Sequence, residues 1–501
     1  MKHANVSCNK NESLGRRAHG LTRVGGAWGL SVSLAAAAAL AQAQAPSAAA
    51  PAPAPKPADS SFTWNGITLY GIVDIGVQYQ THGVPASDYF PAGTEAIILA
   101  NSNGSVTAAT PSNLSQSRIG LSGKEALVGD WSGVFRLETF FNPQSGNISD
   151  ALKSQVLNNG RPAATQTTNV DSSIAGQYFA GAAYAGFSSP TYGTITFGRH
   201  VTPLADGVGK YDPLGAANAF SLIGFSGTTA GGGVTEDRRL DQSLKYSAKL
   251  GAVHLGALYQ FSGSSGTTNT AHQLQFGLEG GGGSIDLYYA KKYDAIATAP
   301  LTAAQVATLP ALGYSPSNSL RATISDNTSY SVMGSFGFSG GPTLFAGYEH
   351  IKFANPNSPL LPGSLTIGGY VLANTTNTAF RTDKILQVFW GGVKYPATAD
   401  LDLMAAFYGY HQDSFATPTV PAGCSSTLFP NCSGSETSFS LLADYKFASA
   451  STATSAPSGP TCRMALRPAS STSPPSPPPP AYASGFNRTL PTRRDERALA
   501  A

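Results

Sequence analysis

From Phe62 onward, apolar and polar residues alternate with a period of two in fourteen separate segments. Such alternation puts successive side chains on opposite faces of a β-strand. In "ITLYGIVDIGVQY" (67–79), Ile67, Leu69, Gly71, Val73, Ile75, Val77 and Tyr79 share one face, while Thr68, Tyr70, Asp74, Gly76 and Gln78 share the other. The same device recurs at 117–125, 131–141, 177–189, 192–201, 242–250, 253–261 and 272–280. It continues at 284–293, 328–338, 343–353, 384–395, 399–410 and 437–447. The joins near 126–130, 190, 251, 281, 340 and 396–398 are short; those near 81–116, 142–176, 202–241, 294–327, 354–383 and 411–436 are long, and 262–271 is intermediate.

Short turns on one side, long loops on the other and strands of about ten residues are the pattern of a transmembrane β-barrel. In lipid every backbone N–H and C=O needs an internal partner, and a closed sheet is the β solution. A secreted β-sandwich or β-helix is the competing fold. It is disfavoured by the lack of a conspicuous internal repeat and by Tyr and Phe at the strand ends. The expected fold class is therefore all-β, a transmembrane antiparallel up-and-down β-barrel.

Composition agrees. Only 12% of residues are charged, and 55 Gly, 24 Phe and 21 Tyr suit many strands, tight turns and aromatic belts. Residues 1–45 carry Lys2, Lys10, Arg16, Arg17 and Arg23 ahead of "GGAWGLSVSLAAAAALAQAQA", which closes in small residues of A-x-A type at Ala41–Ala45. That is a cleavable export signal. A Pro/Ala-rich linker follows at 46–61, then the barrel at 62–448 and a Pro/Ser/Arg-rich tail, expected to be disordered, at 449–501. No apolar run long enough for a membrane helix follows the signal.

Between signal and tail there are 20 bases against 25 acids, a balance that points away from nucleic acid. No H-E-x-x-H or G-x-x-x-x-G-K-[ST] motif occurs, so neither an enzyme nor a cofactor is expected. His254, His272, His350 and His411 are scattered among strands as wall residues. Cys424 and Cys432 bracket a short polar loop of an exported chain. A loop-closing disulfide is expected there over a metal pair, because no His or acid nearby supplies further ligands.

Several strings, "GITLYGIVDIGVQY", "QSRIGLSGKEALVGDWSGVFRLETFF", "AGFSSPTYGTITFGRHVTP" and "RRLDQSLKYSA", together resemble the Gram-negative general porins of β-proteobacterial type. The resemblance is clear over 62–261 and looser over 325–448. It implies a sixteen-stranded outer-membrane barrel, a homotrimer, passing ions and small hydrophilic solutes by diffusion. It also implies a third long loop folded into the lumen, here about 202–241, carrying Asp206, Asp212, Glu236 and Asp237, with arginines on the facing wall. A surface-binding or adhesive barrel, or a porin unable to close, are the alternative readings.

Parity identifies wall charges independently of the family. Arg118 and Lys124 alternate against Ile119 and Leu121, Arg136 and Glu138 against Phe135 and Leu137, and Lys245 against Leu244 and Tyr246. They face the lumen if the apolar face meets lipid, and opposite charges there bias ion passage. Lys124, beside a short turn, also fits an ordinary solvated wall position. Arg199 shares parity with Ile195 and Phe197, so only a bulge at Gly198 turns it inward; its assignment to the pore rests on the resemblance. Of Arg238 and Arg239, one is expected to face inward.

Fourteen readable strands fall two short of sixteen. After Phe447 the period stops, and ten Pro between Pro457 and Pro491 remove ladder donors, so no strand pair is expected from the tail. A shift of reading frame and a genuine Pro-rich tail both fit this composition, as does closure at fourteen between Ile67–Tyr79 and Thr437–Phe447. Resequencing the coding DNA across the codons for Asp444–Ser455 is expected to show a single-base shift that restores two alternating strands and a terminal aromatic. An unaltered frame would reject that expectation.

Overall fold

The computed structural model describes residues 62–80, 106–144, 146, 148, 156, 178–223, 238–262, 270–299, 301–316, 319–359, 365–367, 369–418, 421, 423, 433–446 and 462–466. The expected export signal and linker (1–61), Glu236, Asp237, Cys424, Cys432 and the rest of the tail lie outside them.

Strands β1 (Thr63–Trp64), β2 (Ile67–Ile72), β3 (Ile75–Gln80), β4 (Val106–Pro111), β5 (Arg118–Ala126), β6 (Ser132–Phe140), β7 (Ala182–Ser189) and β8 (Gly193–Val201) lead into helix α1 (Pro203–Tyr211). Next come β9 (Arg239–Leu250), β10 (Val253–Gln260), β11 (Ala271–Gly280), β12 (Gly283–Ala299), β13 (Ser319–Gly337) and β14 (Thr343–Ala354). The last are β15 (Leu365–Ile367), β16 (Tyr370–Thr376), β17 (Lys384–Pro396), β18 (Leu401–Gln412), β19 (Gly434–Tyr445) and β20 (Cys462–Leu466).

One antiparallel ladder runs β2–β5–β6–β7–β8–β9–β10 and on through β11–β12–β13–β14–β17–β18–β19. All fourteen alternating segments are strands of this up-and-down sheet. The β15–β16 hairpin joins the sheet through β16, which runs parallel to the start of β13. Gly281 and Gly282, at φ of 60° and 84°, make the two-residue turn between β11 and β12, which needs positive φ at both positions.

Two local features were hidden in the alternation. The first long segment breaks at Val73–Asp74, and its partner breaks between Pro111 and Arg118, so β3 pairs β4 as a separate ribbon. Asp74 organises the break. Its carboxylate accepts the backbone N–H of Leu114 and Ser115, each at 2.8 Å, and of Asn113 at 3.3 Å. The second is in the tail. Against the expectation of no ladder strand there, Cys462–Leu466 pairs with Leu441–Tyr445. These five residues fit between Pro460 and Pro468, where no proline removes a donor. Among the described residues no ladder joins β2 to β19 or β20, so the sheet is not closed by strand pairing.

The two faces of the sheet differ as alternation requires. Leu274, Phe276 and Leu278 on β11, Ile285 and Leu287 on β12, and Phe407 on β18 are exposed, while Gln273, Asp286 and Tyr288 between them are buried. An exposed apolar band of this extent is a lipid-facing surface. The buried face holds the main apolar cluster. Leu204, Val208, Tyr211, Leu214 and Ile223 of the segment after β8 pack against Met333, Ile351, Val388, Trp390 and Tyr408.

Asp74→Ala removes an ionised acceptor from three backbone donors and is expected to cost about 2 kcal/mol. Urea unfolding of the refolded protein checks this; a loss below about 0.5 kcal/mol would mean that the break holds without the carboxylate.

Candidate functional site

The charges expected on the wall converge where β2, β5 and β6 run side by side. Gly120 pairs with Tyr70 and with Glu138, and Ser122 pairs with Arg136, so alternate positions on the three strands present Tyr70, Arg118, Arg136 and Glu138 on one face. Arg136 Nη2 donates to Glu138 Oε2 at 2.6 Å, and its Nε donates to the Tyr70 hydroxyl at 2.6 Å. Tyr70 in turn donates to Glu138 Oε2 at 3.0 Å, and Arg118 Nε stands 3.8 Å from the same oxygen. The Glu138 side chain is only 4% exposed, whereas those of Arg118 and Arg136 are 27% and 39% exposed. Two guanidinium groups therefore share one buried carboxylate, and the surplus positive charge is left on the solvated side.

The segment after β8 lies against the same buried face. Thr202 caps α1 by accepting the Ala205 N–H at 3.2 Å, with Pro203 in the first turn where a missing donor is harmless. Leu204 N donates to Gln273 Oε1 on β11. On β9, Lys245 Nζ lies 2.5 Å from Asp206 Oδ2 and donates to Val201 O at 2.8 Å. One predicted wall cation thus meets one predicted loop acid. At the far end of α1, Tyr211 and Lys210 bond to Asp286 on β12 at 2.9 and 3.2 Å, and Trp390 Nε1 donates to Tyr211 O at 3.0 Å.

Fourteen lipid-facing strands, charged side chains on their inner face and an inward-lying segment after β8 are the parts of a diffusion channel. A family model described as Gram-negative porin matches residues 30–456. The chain belongs to that family. It is an outer-membrane porin, a channel and not an enzyme.

Among solved structures, the porin is similar to an anion-selective porin from Comamonas acidovorans, with 15% identity, a TM-score of 0.46, and 76% of this chain and 84% of that chain covered. It is also similar to a trimer form of OmpT from Vibrio cholerae, with 14% identity, a TM-score of 0.44 and coverage of 76% and 84%. OmpF from Salmonella typhi, in complex with daunomycin, gives 14% identity, a TM-score of 0.40 and coverage of 77% and 88%. A search of curated protein sequences gives no match.

Not every residue expected in the porin's constriction points at solute. Asp212 is 2% exposed and turned to the wall, where it accepts the Tyr408 hydroxyl at 2.6 Å and the N–H groups of Ala216 at 2.7 Å and Leu214 at 3.3 Å. Burial pushes its carboxyl above the usual range, and these donors pull partly against that shift. Asp212 is an anchor of the segment. A register shift does sit between Gly198 and His200, and Gly198 has φ of 138°. Arg199 nevertheless keeps its register with Ala183 on β7. It is buried, donating to Ala180 O at 2.9 Å and paired with Asp241. Arg238 is half-buried and lends its carbonyl to Thr202 N. Arg239 is buried, bonded to Gly181 O with its guanidinium over the Phe140 ring.

Tyr70 was legible as a polar-face residue of the first segment, but its link to Arg136 and Glu138 depends on strand register. Asp286, Lys210 and Tyr408 carried no local signal. Tyr408→Phe keeps the ring and removes the donor to a buried carboxylate, so it is expected to destabilise the porin by about 2 kcal/mol. Thermal unfolding followed by heat-modified gel mobility reads the loss, and an unchanged midpoint would remove Tyr408 as an anchor.

Proposed function

We propose that this porin forms a water-filled channel for passive diffusion of ions and small hydrophilic solutes, narrowed between the inward segment 202–223 and the wall of β5, β6 and β9. The observations that carry this reading are the contact of Lys245 on the wall with Asp206 on the inward segment, and the partly solvated Arg118 and Arg136 guanidinium groups on the same face of the sheet. The Lys245–Asp206 pair ties the inward segment to the wall, and the excess positive charge of Arg118 and Arg136 on the solvated side biases ion choice. The exposed apolar band meets outer-membrane lipid, and the assembly is a homotrimer as the family membership implies.

A second reading is a porin whose wall does not seal, favoured by the absence of a described ladder between β2 and β19 or β20. Strand edges left open in hydrocarbon cost several kcal/mol per unpaired group. Purified protein in planar bilayers separates the two: stepwise openings are expected, and a silent, stably inserted protein would sink the channel reading. Asp206→Asn leaves Lys245 without its anion and is expected to move the reversal potential in a KCl gradient toward anions; Lys245→Gln should move it toward cations. Equal potentials in both variants would remove this pair from the constriction.

A further inference from the structure

The two ends of the sheet are linked from the inside. The residues after β4 belong to the first end: Ser112 N donates to Asp74 O at 2.8 Å, and the Asp74 carboxylate holds the next three N–H groups. On this portion of chain, Asn218 Nδ2 donates to Ser112 O at 3.0 Å and Ala219 N donates to Asn113 O at 2.6 Å. The very next residue belongs to the other end. Ser440 Oγ on β19 donates to Phe220 O at 2.6 Å, and Tyr410 on β18 donates to Leu222 O at 3.0 Å. Leu114, Phe220, Leu222 and Leu442 join the same apolar cluster.

Distance makes this arrangement specific. Ala219 and Phe220 are consecutive, so Asn113 O and Ser440 Oγ lie within roughly 11 Å, about two strand spacings of ~4.8 Å. Two spacings leave room for one strand between β19 and the β4–β5 link. The chain bonded to that link is the break that directly follows the first strand, at Asp74.

We propose that Asn218–Leu222 is an internal brace that holds the first and last strands of the sheet at seam distance, so that closure of the wall depends on the inward segment. The brace lies across the seam near Ser440, whereas β20 occupies the β19 edge at Leu441–Tyr445. Segment 202–223 then has two separable roles: its α1 end narrows the passage, and its 218–222 end ties the wall. This rests on the barrel reading for its membrane setting, but conduction is not its readout, so a silent channel would overturn the channel reading alone.

Hydrogen–deuterium exchange of the refolded full chain tests the brace. Ser440→Ala combined with Tyr410→Phe removes both side-chain donors to the segment. The amides of Ile67–Ile72 and Gly434–Tyr445 are expected to exchange about tenfold faster or more, while those of Ala271–Gly280 keep their rate. Ser440→Thr retains a donor and should restore protection. Trp390→Phe keeps an aromatic ring in the cluster, removes the donor to Tyr211 O at the α1 end and should leave the seam amides unchanged. Unaltered seam exchange in the double variant, or an equal rise in Trp390→Phe, would overturn the proposal. Should the double variant fail to fold, a Val73→Cys/Phe439→Cys pair, with the native cysteines replaced by Ser, keeps the test open. Both positions are on the exposed face, and a short bismaleimide is expected to join them within one chain; no cross-link would overturn the brace.

Discussion

In hydrocarbon an unpaired peptide N–H or C=O costs several kcal/mol, because no water is there to replace the missing partner. Nearly every feature of this porin answers to that constraint. The fourteen segments pair in one antiparallel ladder, and two-residue turns such as Gly281–Gly282 keep neighbouring strands in register. Where the ladder is interrupted, another acceptor takes over. At the break after Ile72, the Asp74 carboxylate receives the N–H groups that the β2–β5 ladder leaves out.

The interior is governed by a different balance. A wide barrel filled only with water would let the inner face be polar throughout, yet the inner face of β12–β14 and β17–β19 contributes Met333, Ile351, Val388 and Trp390 to an apolar cluster. The segment after β8 covers those side chains and so becomes part of the core. Burial alone would leave its backbone polar groups without water. Trp390, Tyr408, Tyr410 and Ser440 supply donors or reach acceptors at the points where the segment turns. On the wall of β5, β6 and β9, Arg118, Arg136 and Lys245 stay partly solvated.

Legibility followed the range of the interaction. The strands were readable because a period of two is written in consecutive residues, and wall charges such as Arg136 and Glu138 were readable by parity alone. Asp206 and Asp212 looked equivalent in sequence, six residues apart in one loop. In three dimensions one meets Lys245 and the other is sealed under Tyr408, because α1 turns them toward different walls. Arg199 shows the limit of parity in another way. A register shift on one side of β8 coexists with continuous pairing on the other, and the guanidinium is taken up by Asp241 and a backbone carbonyl.

The sequence by itself determined an exported chain, an all-β up-and-down sheet, the faces of its strands and the porin family, since each depends on local periodicity or on contiguous motifs. Only the tertiary structure decided which loop acid meets the wall, how Tyr70 joins Arg136 and Glu138, and where the two ends of the sheet approach each other. Those outcomes depend on contacts between residues far apart in the chain, such as Phe220 with Ser440, and alternation along a strand carries no record of which distant strand will stand opposite.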